Sequence, residues 1–320
     1  MVPSVVLHGQ HCSAAAPPPY RWIWPLAAIS PGAASFERRG FVISAARPRL
    51  ERSARIFVAG YASALASRPD GVLAALAEVE FERRGFFAEG AAMGAAIASF
   101  LPPWRDRLAP LLSALEPNYV HLAHVGAGWA MGRLPFSRRW IERRLDPFLS
   151  PLAIDGRGFQ DGFFGRRQVM RRLGCGDASR VYDQGVGRFL WFSCGAEPEH
   201  IARATALFDP CRHADLWAGL GLAAVYAGGA QDEALDRLVA SAGEACLWLR
   251  QGAAFAAAAH ARAGAVPPAA ADAALRLTRL PPGELIPVVA EAEAAARRRS
   301  LAPLAAYQAW RTSVARALER

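Results

Sequence analysis

Asp183, Gln184 and Arg188 stand within six residues of one another in the stretch VYDQGVGRFLWF (Val181–Phe192), beside two glycines and four aromatic residues. An acid and an arginine among aromatic rings suit a general acid, or a pocket that holds a cationic intermediate. Similar residue types precede other glycines. Glu89 precedes Gly90, Asp161 precedes Gly162, Gln184 precedes Gly185 and Gln251 precedes Gly252, whereas Val125 and Ala218 precede Gly126 and Gly219. Glu89, Asp161 and Asp183 are therefore the candidate catalytic acids. His124, Gln160, Tyr182, Gln184, Arg188, Trp191 and Trp217 are the candidate ligand-binding residues.

Each of these residues also has a purely structural reading. Asp161 and Asp183 suit N-cap positions near helix starts, where a carboxylate meets orphan N–H groups. Arg188 suits a buried ion pair with Asp183 or Glu89, and its spacing lets it fold back along one helix face toward Asp183. His124 suits a satisfied core histidine, and the aromatic residues suit a helical core. In a packed interior every polar group here needs a partner or a wet cavity.

Other chemistries lack their residues. There is no GxSxG elbow, P-loop, HExxH or DDxxD, and GLGLAAVYAGG is not a dinucleotide fingerprint. The five cysteines (Cys12, Cys175, Cys194, Cys211 and Cys246) contain no CxxC pair, so neither a zinc site nor a disulfide framework is expected and a reducing cytoplasm fits. No metal and no cofactor are expected.

The elements that must position these residues are helices. DGVLAALAEVEF (Asp70–Phe81), WRDRLAPLLSAL (Trp104–Leu115), PEHIARATALF (Pro198–Phe208) and DEALDRLVASAG (Asp232–Gly243) place apolar residues at three- and four-residue spacing, the signature of an amphipathic helix. Pro198 suits a first turn and Asp232 an N-cap. A short GFVIS (Gly40–Ser44) is the one strand-like run.

Two recurrences run through the chain. FERRGF occurs at Phe36–Phe41 and again at Phe81–Phe86. A small-residue helix centred on glycine recurs at Gly90, Gly126, Gly162, Gly185, Gly219 and Gly252, with spacings of 36, 36, 23, 34 and 33 residues. Most of these lie in the range of helical repeats. The short spacing suggests two tandem halves of three units, about 86–180 and 181–280. Glycine costs a helix interior about 1 kcal/mol against alanine, so its recurrence implies helices that cross closely. The fold expected is all-α: a helical-repeat bundle or solenoid with an internal tandem duplication and Gly-rich inner helices. Residues 1–35 read as a disordered leader and 36–320 as one domain.

Composition supports a globular chain, 53% hydrophobic and 20% charged in 320 residues. The net charge of +9 comes from arginines spread along the sequence, with no lysine, which fits a solvated basic surface rather than a nucleic-acid groove. RRQVMRR (Arg166–Arg172) is the densest basic run. No apolar run reaches the length of a spanning helix, so stable membrane insertion is not expected.

The motifs RRGF, FFAEGAAMG, HVGAGWAMGRLP, DGRGFQDGFFG, YDQGVGRFLWF and DLWAGLGLAAVYAGG, in this order, resemble the bacterial family known as domain of unknown function 1702. The likeness covers roughly Phe36 to Tyr307. That family includes the UnbL-type proteins of enediyne antibiotic clusters. The resemblance implies a role accessory to enediyne or polyketide-type secondary metabolism and supplies no catalytic residues. Taken with the residues above, it leads to the expectation of a cytoplasmic protein that binds or processes a hydrophobic, polyene-like intermediate, with biosynthetic enzymes as further partners. The alternative is a non-enzymatic helical scaffold for protein–protein interaction. The inner face separates them: a cavity lined by acids and aromatics favours ligand chemistry, and a solid glycine-packed interior favours the scaffold.

Overall fold

The computed structural model describes residues 29–165, 169–170 and 176–319, and all the statements that follow concern these. The described residues are helical throughout and contain no strand. Nine long helices are α2 (Arg47–Ala66), α4 (Arg84–Ala98), α6 (Val120–Arg133), α8 (Leu152–Phe164), α9 (Asp177–Ser193), α11 (Pro210–Tyr226), α13 (Cys246–Arg262), α15 (Pro282–Arg297) and α16 (Pro303–Ala317). Each packs on the next in that order. Shorter helices lie between them: α3 (Pro69–Ala77), α5 (Leu108–Leu115), α7 (Arg138–Glu142), α10 (Pro198–Thr205), α12 (Asp232–Ala242) and α14 (Pro268–Thr278), with α1 (Phe36–Arg39) before α2.

The division of labour follows from composition. α4 is buried from Gly85 to Ala98 without a break, as a helix with small apolar residues on every face must be. α10 has a wet face and buries Pro198, Ile201 and Thr205. Proline opens α10, α11, α14, α15 and α16, where a missing N–H is harmless.

The long helices meet through glycine pairs. A Cβ built at Gly158 would lie 2.1 Å from the Tyr182 carbonyl oxygen of α9, and one at Gly185 would lie 1.9 Å from the Asp155 oxygen of α8. The same reciprocal approach joins Gly128 to Gly156, Gly187 to Gly219, Gly221 to Gly252 and Gly60 to Gly90. α6, α8, α9 and α11 each carry a Gly-x-Gly in which the first glycine faces the preceding long helix and the second the following one. Backbone therefore touches backbone at each crossing, and any side chain would separate the helices.

Several sequence expectations need correction. Gly162 does not belong to this set, because its Cβ would meet the Phe189 ring rather than a backbone. Gly156 takes its place. The two FERRGF copies are not equivalent: Gly40 ends α1 with a φ of 64°, whereas Gly85 lies inside α4, where a Cβ would strike the Tyr226 hydroxyl. GFVIS is not a strand, although Val42 N–H donates to the Ser193 carbonyl at 2.9 Å. Asp232 is the first residue of α12 rather than its N-cap, and pairs with Arg276 at 2.8 Å. Residues 31–34, assigned to the leader, form a 3-10 turn capped by the Ser30 hydroxyl. Cys211 is disulfide-bonded, contrary to the expectation of reduced cysteines, while Cys194 and Cys246 are free. Residues 1–28 of the leader, most of the Arg166–Arg172 run, Cys12 and Cys175 lie outside the described residues.

Candidate functional site

Three residues that directly precede crossing glycines meet in one buried cluster. Glu89 on α4, Asp155 on α8 and Gln184 on α9 converge there on Arg188, one turn beyond Gln184. The Arg188 guanidinium donates to Asp155 Oδ1 at 2.5 Å and to both Glu89 oxygens at 3.3 Å. Trp129 Nε1 donates to Glu89 Oε1 at 2.9 Å, and Gln184 Nε2 to Asp155 Oδ2 at 2.8 Å. α16 packs against α9 and α13 and brings Tyr307, whose hydroxyl lies 3.2 Å from Gln184 Nε2.

Two carboxylates thus share one buried guanidinium. Burial raises the Glu89 pKa above the usual carboxylate value, against the pull of Arg188 and the Trp129 hydrogen bond. Arg188 stays protonated: its two carboxylate neighbours outweigh desolvation and push its pKa up.

This cluster forms the floor of a cavity of about 330 Å³. Asp155, Gln184 and Arg188 line it, and so do Leu122, Val125, Leu222, Phe255, Val289 and Trp310. Arg262 and Glu293 also line it and pair at 3.0 Å, with the arginine partly exposed. Glu89 and Arg188 also line a smaller cleft of about 40 Å³, walled by Phe57, Phe86, Trp129, Phe159 and Phe192. Among the described residues no group of three or more His, Cys, Asp or Glu could hold a metal ion, and no helix is long and apolar enough to cross a membrane.

His121, on the cavity wall beside Trp310, has its pKa lowered by burial to about 3. His260 stacks on the cavity residue Tyr226 at 4.3 Å and is lowered to about 4. Both rings should therefore remain neutral from pH 5 to pH 8 in an NMR titration. Because these folded values lie below the unfolded one near 6.5, their contribution to stability is complete above pH 6.5 and falls as pH drops toward 4. Midpoints near 6.5 for both rings would contradict this arrangement.

A family model described as "Protein of unknown function (DUF1702)" matches residues 24–318. The chain belongs to this family. No curated protein and no solved structure matches it.

In this DUF1702 chain the structure brings Glu89, Gln184 and Arg188 together and sets the other candidates elsewhere. Asp183 makes a two-pronged ion pair with Arg212, at 2.6 and 3.0 Å. It lies well inside α9 rather than at its start, so it is neither an N-cap nor the partner of Arg188. Asp161 sits near the end of α8, not its start, and accepts from the Tyr182 hydroxyl at 2.9 Å. His124 donates from Nδ1 to the Val120 carbonyl at 2.7 Å and accepts at Nε2 from Asp146 N–H at 3.0 Å, which satisfies both nitrogens within the core. Trp191 Nε1 donates to the Gly228 carbonyl. Trp217 is buried on α11 and Gln160 on α8; neither lines the 330 Å³ cavity.

Asp155 was missed by sequence reasoning, and a signal for it existed. It precedes Gly156 as Glu89 precedes Gly90 and Gln184 precedes Gly185. Centring the third unit on Gly162 moved attention six residues along to Asp161. Tyr307 and Trp310 carried no such signal, because α16 has no glycine motif and reaches the centre only through packing.

Proposed function

We propose that this DUF1702 protein binds a hydrophobic, polyene-like intermediate in its central cavity and acts as an accessory to enediyne or polyketide-type secondary metabolism. The cavity carries this reading. Its volume lies at the lower end of the usual range for small-molecule sites, about 300–1,000 Å³, and its lining is largely aliphatic and aromatic, with the polar side chains of His121, Asp155, Gln184, Arg188, Arg262 and Glu293 among it. Asp155 and Arg188, which line the cavity, are the groups that chemistry there would use, rather than Asp161 or Asp183, while Glu89 lines the smaller cleft and reaches the cavity only through Arg188. The metabolic setting rests on the family resemblance.

The scaffold beneath this reading is a helical repeat. Units led by Gly90, Gly126, Gly156, Gly185, Gly219 and Gly252 are spaced 36, 30, 29, 34 and 33 residues apart. With Gly156 in place of Gly162, the two halves are offset by 95, 93 and 96 residues, which supports a tandem duplication. The same reading takes the protein to be cytoplasmic and to work beside biosynthetic enzymes. The disulfide at Cys211 weighs the other way on compartment.

A medium-chain conjugated polyene alcohol, whose fluorescence rises on leaving water, tests the proposal. Titration into the purified chain should give a saturable rise with one site. Ala259→Phe, which places a ring in the cavity from the half-buried Ala259, should weaken binding by about tenfold or more with an unchanged melting temperature. No saturable binding to the wild type would favour the interaction scaffold.

A further inference from the structure

Two of the three most exposed large apolar side chains among the described residues are aromatic, Phe136 at 73% and Trp104 at 68%. Trp104 lies in the loop that follows α4, and Phe136 in the turn that follows α6. The two segments read LPPWR (Leu101–Arg105) and LPFSRR (Leu134–Arg139), each a leucine and a proline, then an aromatic ring, then arginine. They are fastened together. The Phe100 ring meets Phe136 at 5.5 Å and Trp140 at 4.9 Å, both edge-on. Asp106, on the other side of Trp104, accepts from Arg144 Nε at 2.5 Å, and the Arg144 guanidinium lies 3.5 Å over the Trp140 ring. Trp104 thus stands between two points at which its loop is fixed to the segment that carries Phe136. Its φ of 55° falls where a bulky residue is uncommon. Neither burial nor backbone comfort accounts for a tryptophan there, and exposed rings grouped in this way mark a contact surface.

Charge accompanies the rings. Residues 100–107 and 134–144 carry six arginines against two acids, Asp106 and Glu142. Both acids are taken, by Arg144 and Arg138. Arg105, Arg139 and Arg143 are exposed and have no ion-pair partner among the described residues.

We propose that this end of the protein docks reversibly on an anionic lipid bilayer, with Trp104 and Phe136 entering the interfacial layer and Arg105, Arg139 and Arg143 facing the lipid phosphates. Tryptophan favours the depth of the head groups, and arginine is drawn to an acidic membrane surface. Attachment at an interface grows with both apolar burial and charge attraction, and here the two coincide. Rings this exposed stand clear of any groove wall, and neither lines the cavity or the smaller cleft. A lipid surface therefore fits them better than the groove that a peptide or a nucleobase would need. The contact is peripheral, in keeping with the lack of a spanning helix among the described residues.

Sedimentation of the full chain with phosphatidylcholine vesicles, with and without about 30% phosphatidylglycerol, at about 0.15 M salt tests it. The anionic vesicles should hold the protein about tenfold or more strongly than the neutral ones. A chain of net charge +9 is drawn to any acidic surface, so variants decide the site. Trp104→Ser with Phe136→Ser should lower partition onto the anionic vesicles about tenfold, with an unchanged melting temperature because both rings are exposed. Arg139→Glu with Arg143→Glu should do the same, whereas Arg203→Glu with Arg316→Glu, exposed on α10 and α16, should have a much smaller effect. No partition onto the anionic vesicles, full partition of the ring variant, or equal losses in the two arginine pairs would overturn the proposal. The first of these outcomes would turn the patch over to a protein partner.

Discussion

A single methyl group at Gly219 is expected to cost about 3 kcal/mol or more, or to prevent recovery of folded protein. The Cβ of Gly219→Ala would lie 1.9 Å from the Gln184 carbonyl oxygen and 2.8 Å from the Arg188 amide nitrogen. Both atoms are helix backbone, so relief requires α11 to move away from α9. Overpacking costs typically about 1–3 kcal/mol, and rigid surroundings place this case at the upper end or beyond. The sign is diagnostic, because helix propensity alone favours alanine by about 1 kcal/mol. The comparison is Gly283→Ala in the first turn of α15, where a Cβ meets nothing within 4 Å. That variant should be neutral or slightly stabilised. Chemical denaturation of the two variants beside the wild type decides the matter, and equal stability of all three would mean that α9 and α11 do not touch through backbone.

Arg188→Met should be comparably damaging and should depend on pH. The change keeps much of the side-chain volume but leaves Glu89 and Asp155 buried without their cation. Breaking a buried ion pair by removing one partner costs about 3–5 kcal/mol. In the wild type the Glu89 pKa is already raised by desolvation, with Arg188 as the largest opposing influence. A carboxyl whose folded pKa lies above its unfolded value holds its proton more tightly in the folded state. Stability therefore falls as pH rises from about 4.5 through the folded value. Without Arg188 that value rises further, and the loss extends to higher pH. Arg188→Met should be closest to wild type near pH 5 and most impaired near pH 8, read from denaturation midpoints at the two values. A deficit of equal size at both would show that the carboxyls are not coupled to Arg188.

The class of the fold was legible because Ala- and Gly-rich helices and amphipathic helices differ in composition, and the absence of β-branched alternation removed the competing reading. Glycines as crossing points were legible for the same reason: helix interiors do not carry a destabilising residue six times without a packing cause. What failed was register. Gly156 and Gly162 both stand in DGRGFQDGFFG, and nothing local distinguishes a glycine that meets a backbone from one that meets a phenylalanine ring. The error carried over to the site, where Asp161 was chosen and Asp155 was passed over. Asp183 failed differently. An acid five residues before an arginine on one helix reads as a local pair, but Arg212 of the next long helix takes Asp183, while Glu89 and Asp155 of two other helices take Arg188. Pairing across helices depends on which faces the glycine crossings turn inward, and no short-range pattern encodes that. Arg311 of α16, fully buried and 2.8 Å from Asp215, was illegible on the same grounds.

The central claim is that the interior holds an apolar molecule above the Glu89–Asp155–Arg188 cluster. A crystal structure of the full chain grown with the polyene alcohol tests it most directly. The account predicts continuous density between Leu222, Phe255 and Trp310. Saturating alcohol that leaves this cavity without ligand density, or density found only on the outer helices, would contradict it.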